Sequence, residues 1–134
     1  YNMGRRAHVE NDIIPTAQTH GIGLTPFSPL NNGILTGKYD EGIPEDARAS
    51  HNENTRKKLT DDAIDRVRKL KPIADELGIS RAQLAIAWVL RNPEVASVIT
   101  GATKPEQIET TAAAAEIKIP QEALAKIEEL FPVE

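Results

Sequence analysis

Only two stretches of this sequence have the make-up of a buried β-strand, Ile22 to Phe27 and Val95 to Thr100, and helical patterns fill most of the rest. Both runs are short and apolar with little polar alternation, as expected of parallel strands covered on both faces. Strands alternating with helices read as βαβ units of an α/β fold with a parallel sheet. Two strands alone cannot stabilise such a sheet, so their neighbours have to come from residues outside this chain. The chain has 134 residues and starts at Tyr1, against the ~250 residues of a complete (β/α) barrel. A fragment or a processed product is therefore expected.

The helical segments have recognisable punctuation. Val9, Ile13, Ile14 and Ala17 share a face over His8 to Thr19, and Gly21 can supply a left-handed cap. A long irregular stretch from Ser28 to about Leu59 follows, and its polar part, Ala49 to Lys58, is expected to be mobile. From Thr60 the positions Ile64, Val67, Leu70, Ile73, Ala74 and Leu77 form one apolar stripe closed by Gly78, with Pro72 expected to kink or split the helix. Ser80-Arg81-Ala82-Gln83 matches a capping box before a helix whose run Leu84 to Leu90 is apolar nearly all round, hence deeply packed. Thr103-Lys104-Pro105-Glu106 matches a second capping box, for a helix reaching about Ala115. A last helix from Pro120 carries Leu124, Ile127 and Leu130 on one face.

Composition narrows the function classes. The net charge of −4 offers no broad basic field for nucleic acid or an anionic membrane. The short cluster Arg56-Lys57-Lys58 reads as a solvated loop. No cysteine is present, which removes disulfides, thiolate catalysis and zinc–thiolate sites from this chain. It also suits a reducing compartment, and a cytoplasmic location is expected. No apolar run approaches the ~20 residues of a membrane span. His8, His20 and His51 have no metal-ligand spacing and read as surface histidines.

Two loops could carry chemistry. In Gly101-Ala102-Thr103-Lys104-Pro105-Glu106-Gln107 a strand ends, a glycine turn follows and a helix begins. The first-turn N–H groups and the helix dipole make an anion site, to which Thr103 adds a hydroxyl and Lys104 a charge. Gln107, one turn on, could reach a base edge. The plainer alternative is an ordinary N-cap with a surface lysine. The other loop runs from Phe27 through Ser28, Pro29, Leu30 and Gly33 to Gly37, Lys38 and Tyr39. Its glycines allow close approach to a ligand, Lys38 supplies charge for a phosphate, and Phe27 a flat ring. The alternative is a structural loop with Phe27 in the core. In (β/α) barrels a phosphate site is frequently built by the loops after the last two strands and a helix N-terminus. That makes the pair more informative than either loop alone.

Ser28-Pro29-Leu30 with Gly33, Leu35-Thr36-Gly37-Lys38-Tyr39, Ala82 to Leu90, and Ile99-Thr100-Gly101-Ala102-Thr103 with Glu106-Gln107-Ile108 together resemble the aldo-keto reductase family. The branch resembled contains bacterial reductases and voltage-gated potassium-channel β subunits. The resemblance runs in order over nearly the whole chain, and Tyr1-Asn2 is similar to the end of the family's sixth strand. It implies the C-terminal part of a (β/α)8 TIM barrel, with Ile22 to Phe27 as seventh strand and Val95 to Thr100 as eighth. It further implies NADP(H) as cofactor. Phe27 would stack on the nicotinamide, Ser28, Leu30 and Gly33 would wrap the pyrophosphate, and Lys38 would hold a phosphate. Arg48 would lie near the adenosine 2′-phosphate, Thr103 and Gln107 would contact the adenosine end, and Lys104 would favour NADP over NAD. Two departures stand out: Thr110 and Thr111 replace a Glu-Asn pair that touches adenine, and Asn31 and Asn32 fill positions that are usually small.

The resemblance implies a reductase that moves hydride between NADPH and an aldehyde or ketone, with a tyrosine as proton donor supported by an aspartate, a lysine and usually a histidine. Those four belong to the first half of the barrel, and neither Tyr1 nor Tyr39 matches the tyrosine's motif. No catalytic residue is therefore assigned in this chain, which is expected to be inactive alone. The expected partner of the full-length protein is a small carbonyl substrate. A non-catalytic regulatory subunit that keeps the cofactor fold is the rival reading, and a short product with no enzymatic role a third.

Overall fold

A computed structural model describes residues 1–133. Seven α-helices occur in the described residues: α1 (Ile14–His20), α2 (Arg48–His51), α3 (Glu53–Arg56), α4 (Asp61–Glu76), α5 (Arg81–Leu90), α6 (Pro105–Ala113) and α7 (Gln121–Leu130). Two 3-10 segments, Asn31–Thr36 and Ala114–Glu116, complete the regular structure after a π-helical turn, Val9–Ile13, that leads into α1.

The core lies where the 3-10 segment, α4, α5 and α7 meet. Leu84 through Val89 are buried on every side of α5, as the all-apolar run requires. The capping box is formed: Ser80 accepts from the Gln83 N–H while the Gln83 side chain accepts from the Ser80 N–H. From α4 come Val67, Leu70, Ile73 and Ala74, and from α7 Ala123 and Ile127. Met3, Ile34 and Leu35 close the cluster from the loop side.

Four expectations need correction. The two strand runs do not form a sheet. Residues 22–27 and 95–100 are joined only by isolated parallel bridges, Leu24 with Val95 and Phe27 with Ile99. Nor are they covered on both faces: Val95 is buried, but Ile22, Phe27 and Ile99 are more than half exposed. A parallel strand is buried by partners on both edges and helices on both faces, and here the runs are bridged only to each other, with the Tyr1 ammonium donating to the Phe27 carbonyl at 3.1 Å. Pro26 accepts from the Ile99 N–H at 2.9 Å but has no N–H to give. Second, α4 continues through Pro72 without splitting. The carbonyl deprived of its partner belongs to Arg68, which is exposed, so water can satisfy it while the buried stripe holds the helix together.

Third, the first helix is not uniform. The Ile14 N–H bonds the Val9 carbonyl across a π turn, and this extra residue rotates Ile13 out of the face that Ile14 and Ala17 bury. Pro15, at the first turn of α1, cannot donate into an α-ladder and so suits the change of register. Fourth, residues 49–58 are tied down. Ala49 and Thr55 are buried, Asn52 caps α3 through Thr55, and the Arg56 guanidinium donates to the carbonyls of Ala49 and Ser50. Of the basic triplet expected to be a solvated loop, only Lys57 is a plain surface group, paired with Glu53 at 2.9 Å. Lys58 is half-buried.

Candidate functional site

The loop of residues 28–39 leaves the bridge at Phe27 and turns back over the core. Backbone φ is positive at Ser28 (59°), Asn31 (48°) and Asn32 (59°), then at Gly33 (88°) and Gly37 (81°). Asparagine tolerates the left-handed region better than most residues, which accounts for the two adjacent asparagines. Gly37 is demanded on two grounds. Besides its φ, an added Cβ would lie 1.8 Å from the Arg81 guanidinium. That guanidinium is itself held by Asp40 at 2.7 Å and by the Val67 carbonyl. Ile34, Leu35 and Tyr39 are buried beneath the loop, and the Tyr39 hydroxyl accepts from the Ala49 N–H.

Asn2 braces the same loop from the other side. It is buried, donates from Nδ2 to the Ser28 carbonyl at 2.9 Å, and accepts from the Gly4 N–H at 3.1 Å. Sequence reasoning placed Tyr1-Asn2 only at a strand end. A buried amide with its partners in a loop far along the chain leaves no periodic signal to find.

Phe27, by contrast, is 68% exposed, a bare ring face at the mouth of a cleft of about 960 Å³. Nine of the ten residues expected to meet a cofactor line this one cleft: Phe27, Ser28, Leu30, Gly33, Lys38, Arg48, Gly101, Thr103 and Gln107. The Lys38 ammonium lies 5.5 Å from the centre of the Tyr39 ring. Packing of its stem fills the space where a Cβ on Gly33 would fall, 2.6 Å from Lys38 Cε. Arg48, expected in a mobile segment, opens α2 and donates to Asn32 Oδ1 at 3.1 Å, across to the facing loop. The tenth residue, Lys104, is exposed and not among the residues lining the cleft.

The opposite wall differs from its expected form. No capping box runs from Thr103 to Glu106. Pro105 takes the first helical position, where its missing N–H and preset φ are suited. That makes Lys104 the N-cap, with no side-chain cap bond. A one-way contact joins Thr103 and Gln107 instead: Gln107 Oε1 accepts from the Thr103 N–H at 2.8 Å. A Cβ at Gly101 would meet nothing within 4 Å, so the protein's own packing makes no use of that glycine. Thr110 and Thr111 also line the cleft, but their hydroxyls donate to the carbonyls of Glu106 and Ile108 in their own helix.

Below the loop lies a charged cluster that sequence reasoning missed. Trp88 is fully buried, with the Arg91 guanidinium 3.7 Å and that of Arg6 4.9 Å from its ring centre. Arg6, only 6% exposed, donates to Glu10, to Glu128 and to the Phe131 carbonyl. Burial would push the Glu10 carboxyl up, but hydrogen bonds from Arg6, Tyr1 and Arg91 outweigh it and hold the group below the ordinary carboxylate range. Burial, then the hydrogen bond to Glu10, pushes the Tyr1 phenol up to about 12. Tyr1 therefore stays protonated at neutral pH, committed to Glu10 and Arg91. The cluster ties the chain start, α5 and α7 together, and the i, i+4 spacing of Arg6 and Glu10 was its only local trace.

The histidines sit apart from the cleft's polar groups, except that His51, bonded to Ser50, is at its rim. His8 pairs with Asp12 in solvent. Among the described residues no group of three or more His, Cys, Asp or Glu could hold a metal ion, and no helix is long and apolar enough to cross a membrane.

Comparison with known proteins gives the geometry a context. A model of the aldo/keto reductase family matches residues 1–131. A protein of Arabidopsis thaliana named "Probable voltage-gated potassium channel subunit beta" is 50% identical over 121 residues, covering 87% of this chain and 37% of the relative. A protein of the same name from Oryza sativa subsp. japonica is 52% identical over 112 residues, covering 81% and 34%. An "L-glyceraldehyde 3-phosphate reductase" of Escherichia coli O157:H7 is 40% identical over 114 residues, covering 81% and 33%. The chain thus spans about a third of the length of each of these relatives.

Proposed function

This chain belongs to the aldo/keto reductase family, and on that premise we propose that its cleft is the cofactor-binding part of an NADP(H)-dependent reductase of aldehydes or ketones. In this reading the segments 22–27 and 95–100 are the seventh and eighth strands of a (β/α)8 barrel. Their exposed apolar side chains and single bridged edge await the remaining strands.

The observation that carries the reading is the convergence of Phe27, the loop 28–38, Arg48 and the 101–107 turn on one cleft. The 101–107 turn lies far along the sequence from the other segments, yet lines the same cleft. The donor set fits a dinucleotide. A ring face is free at one end, with two cations, Lys38 and Arg48, for phosphates and polar groups of Thr103 and Gln107 at the other wall. The cleft is also of the size that takes a large cofactor. When bound, NADPH supplies hydride to the carbonyl carbon. Phe27 fixes the plane of the nicotinamide and shields one face from water. Lys38 neutralises phosphate, and Arg48, already oriented by Asn32, meets the 2′-phosphate in a charge-assisted contact. Lys104, outside the lining, adds only longer-range attraction.

The high identity to proteins named as potassium channel β subunits favours a second reading, a regulatory subunit that binds the cofactor without turnover. One experiment separates the two. The complete chain encoded by the gene is titrated with NADPH by fluorescence and then assayed with a panel of aldehydes. Binding with turnover supports the reductase, and binding without turnover the regulatory subunit. Absence of NADPH binding sinks both. The 134-residue chain alone should reduce no aldehyde.

A further inference from the structure

Asn32 is the only asparagine of these 134 residues that is followed by glycine. The pair sits half-buried in the cleft wall, and the Asn32 side chain is engaged there: its Oδ1 accepts from the Arg48 guanidinium at 3.1 Å. A donor on an amide oxygen draws electrons from the carbonyl carbon and stabilises negative charge that develops on that oxygen. The Asn32 Cγ is thereby prepared for attack by a nucleophile. The nearest along the chain is the amide nitrogen of Gly33, which can close a succinimide ring on it. With no side chain, Gly33 neither hinders that closure nor restricts the peptide turn it needs.

In the folded loop the nitrogen is held away. Asn32 has φ 59° and ψ 27°, and the Gly33 N–H donates to the Leu30 carbonyl at 2.9 Å. That hydrogen bond has to break for the peptide to turn. Its loss strands no acceptor, because the Leu30 carbonyl also accepts from the Leu35 N–H at 3.2 Å. Over Gly33 packs the flexible stem of Lys38, whose Cε lies 2.6 Å from where a Cβ would be.

We propose that Asn32 is a site of spontaneous deamidation, which converts the partner of Arg48 from a neutral amide into a carboxylate. The Gly33 nitrogen forms a bond to Cγ, the Cγ–Nδ2 bond breaks, and ammonia leaves with the proton that Gly33 gave up. Water then opens the cyclic imide at either carbonyl, leaving aspartate or isoaspartate, and nothing is oxidised or reduced. Either product is anionic and stands against Arg48, which it binds by a charge-assisted contact stronger than the present one. The consequence for ligands rests on the reading of the cleft as the cofactor site. There Arg48 is withdrawn from the 2′-phosphate, and the new charge repels the phosphates. Bound NADPH, by engaging Lys38 and Arg48, holds the loop closed over Gly33 and slows the reaction.

The test uses the complete chain encoded by the gene, incubated at mildly alkaline pH with and without NADPH. Peptides are mapped over time by mass spectrometry. Fresh and aged protein are titrated with NADPH by fluorescence, beside Asn32→Asp and Asn32→Gly. Among the asparagines of residues 1–134, Asn32 should react first, and more slowly when NADPH is bound. NADPH affinity should fall roughly ten- to hundredfold in Asn32→Asp, and in the aged parent in step with its deamidated fraction. Asn32→Gly takes a left-handed backbone without strain and cannot cyclise, so it should hold whatever affinity it starts with. If Asn32→Asp fails to fold, the aged parent decides alone. Asn32 reacting no faster than Asn54, or at the same rate with NADPH bound, overturns the inference. So does an aged parent that is deamidated yet binds NADPH as before. Equal decline in the parent and Asn32→Gly overturns it too, since the loss then lies elsewhere. Rapid deamidation at Asn32 in a protein that binds no NADPH even when fresh upholds the modification and sinks the cofactor reading.

Discussion

The two walls of the cleft are built on opposite plans. The loop of residues 28–39 is held from below by Ile34, Leu35 and Tyr39, from one side by Asn2, and from the other by Arg81 on Asp40. Facing it, the turn of residues 101–107 is exposed throughout, and its side-chain bonds among the described residues stay within its own helix start, from Thr103 to Gln107 and from Thr110 to the Glu106 carbonyl. One wall is set in place by the fold before any ligand arrives. The other has little beyond its own short-range contacts to hold it, so a ligand that bridges the cleft would order it. Rigid elements that hold binding groups in place raise affinity by lowering the entropy lost on binding. On that ground the first wall should contribute more to affinity.

The sharpest way to break the contrast is a matched pair of glycine substitutions. Gly37→Ala meets both a left-handed φ and a tethered guanidinium, and should destabilise the protein by about 3 kcal/mol. Gly101→Ala meets nothing and should change stability by less than about 0.5 kcal/mol. Urea midpoints of the two variants check this. Equal losses would mean that the two walls are equally constrained.

Next in size is the charge reading across the walls. Arg48→Ala should weaken NADPH by ~1.5–3 kcal/mol, roughly ten- to hundredfold, and leave NADH nearly unchanged. Lys104→Ala, from the exposed wall, should have a smaller effect in the same direction. Paired fluorescence titrations decide, and a larger loss at Lys104 would move the 2′-phosphate to the second wall.

Acid tests the foundation of the rigid wall. The Glu10 carboxyl is held below its ordinary range in the folded protein. Its contribution to stability is therefore complete above the ordinary carboxylate range and is lost as pH falls through the depressed folded value. Glu10→Gln should cost about 2 kcal/mol at neutral pH, because Arg6 stays buried with one carboxylate fewer. The variant should also lose less stability than the parent between pH 5 and about pH 3. Urea unfolding across that range measures both, and parallel profiles would count against the cluster.

The smallest effect belongs to the shared contact. Phe27→Ala should lower NADPH and NADH affinity together, by about 1 kcal/mol, since the nicotinamide is common to both. A selective loss of one cofactor would place Phe27 elsewhere in the complex.

Much of this was written in local pattern. The stripe of α4, the capping box and buried run of α5 and the apolar face of α7 follow from neighbours three and four residues apart. The set of residues around the cleft was legible too, but as motifs rather than as a place. What pattern could not give was anything depending on partners distant in sequence. Residues 22–27 and 95–100 read as covered strands, yet coverage depends on neighbouring strands, and only two bridges formed. Pro72 reads as a break, but the packed face of α4 outweighs one lost hydrogen bond.

Although α2 and α3 lie in a stretch that reads as irregular, the sequence by itself determined the longer helices, the Ser80 cap of α5, and which residue types stand ready for a dinucleotide. Hydrogen bonds and side-chain contacts within one turn are enough to encode those. Tertiary structure alone decided that Arg48 faces the cleft while Lys104 does not. It also decided that Asn2 braces Ser28. Each of these depends on bringing together parts of the chain that share no local period, so the packing of the core settles them.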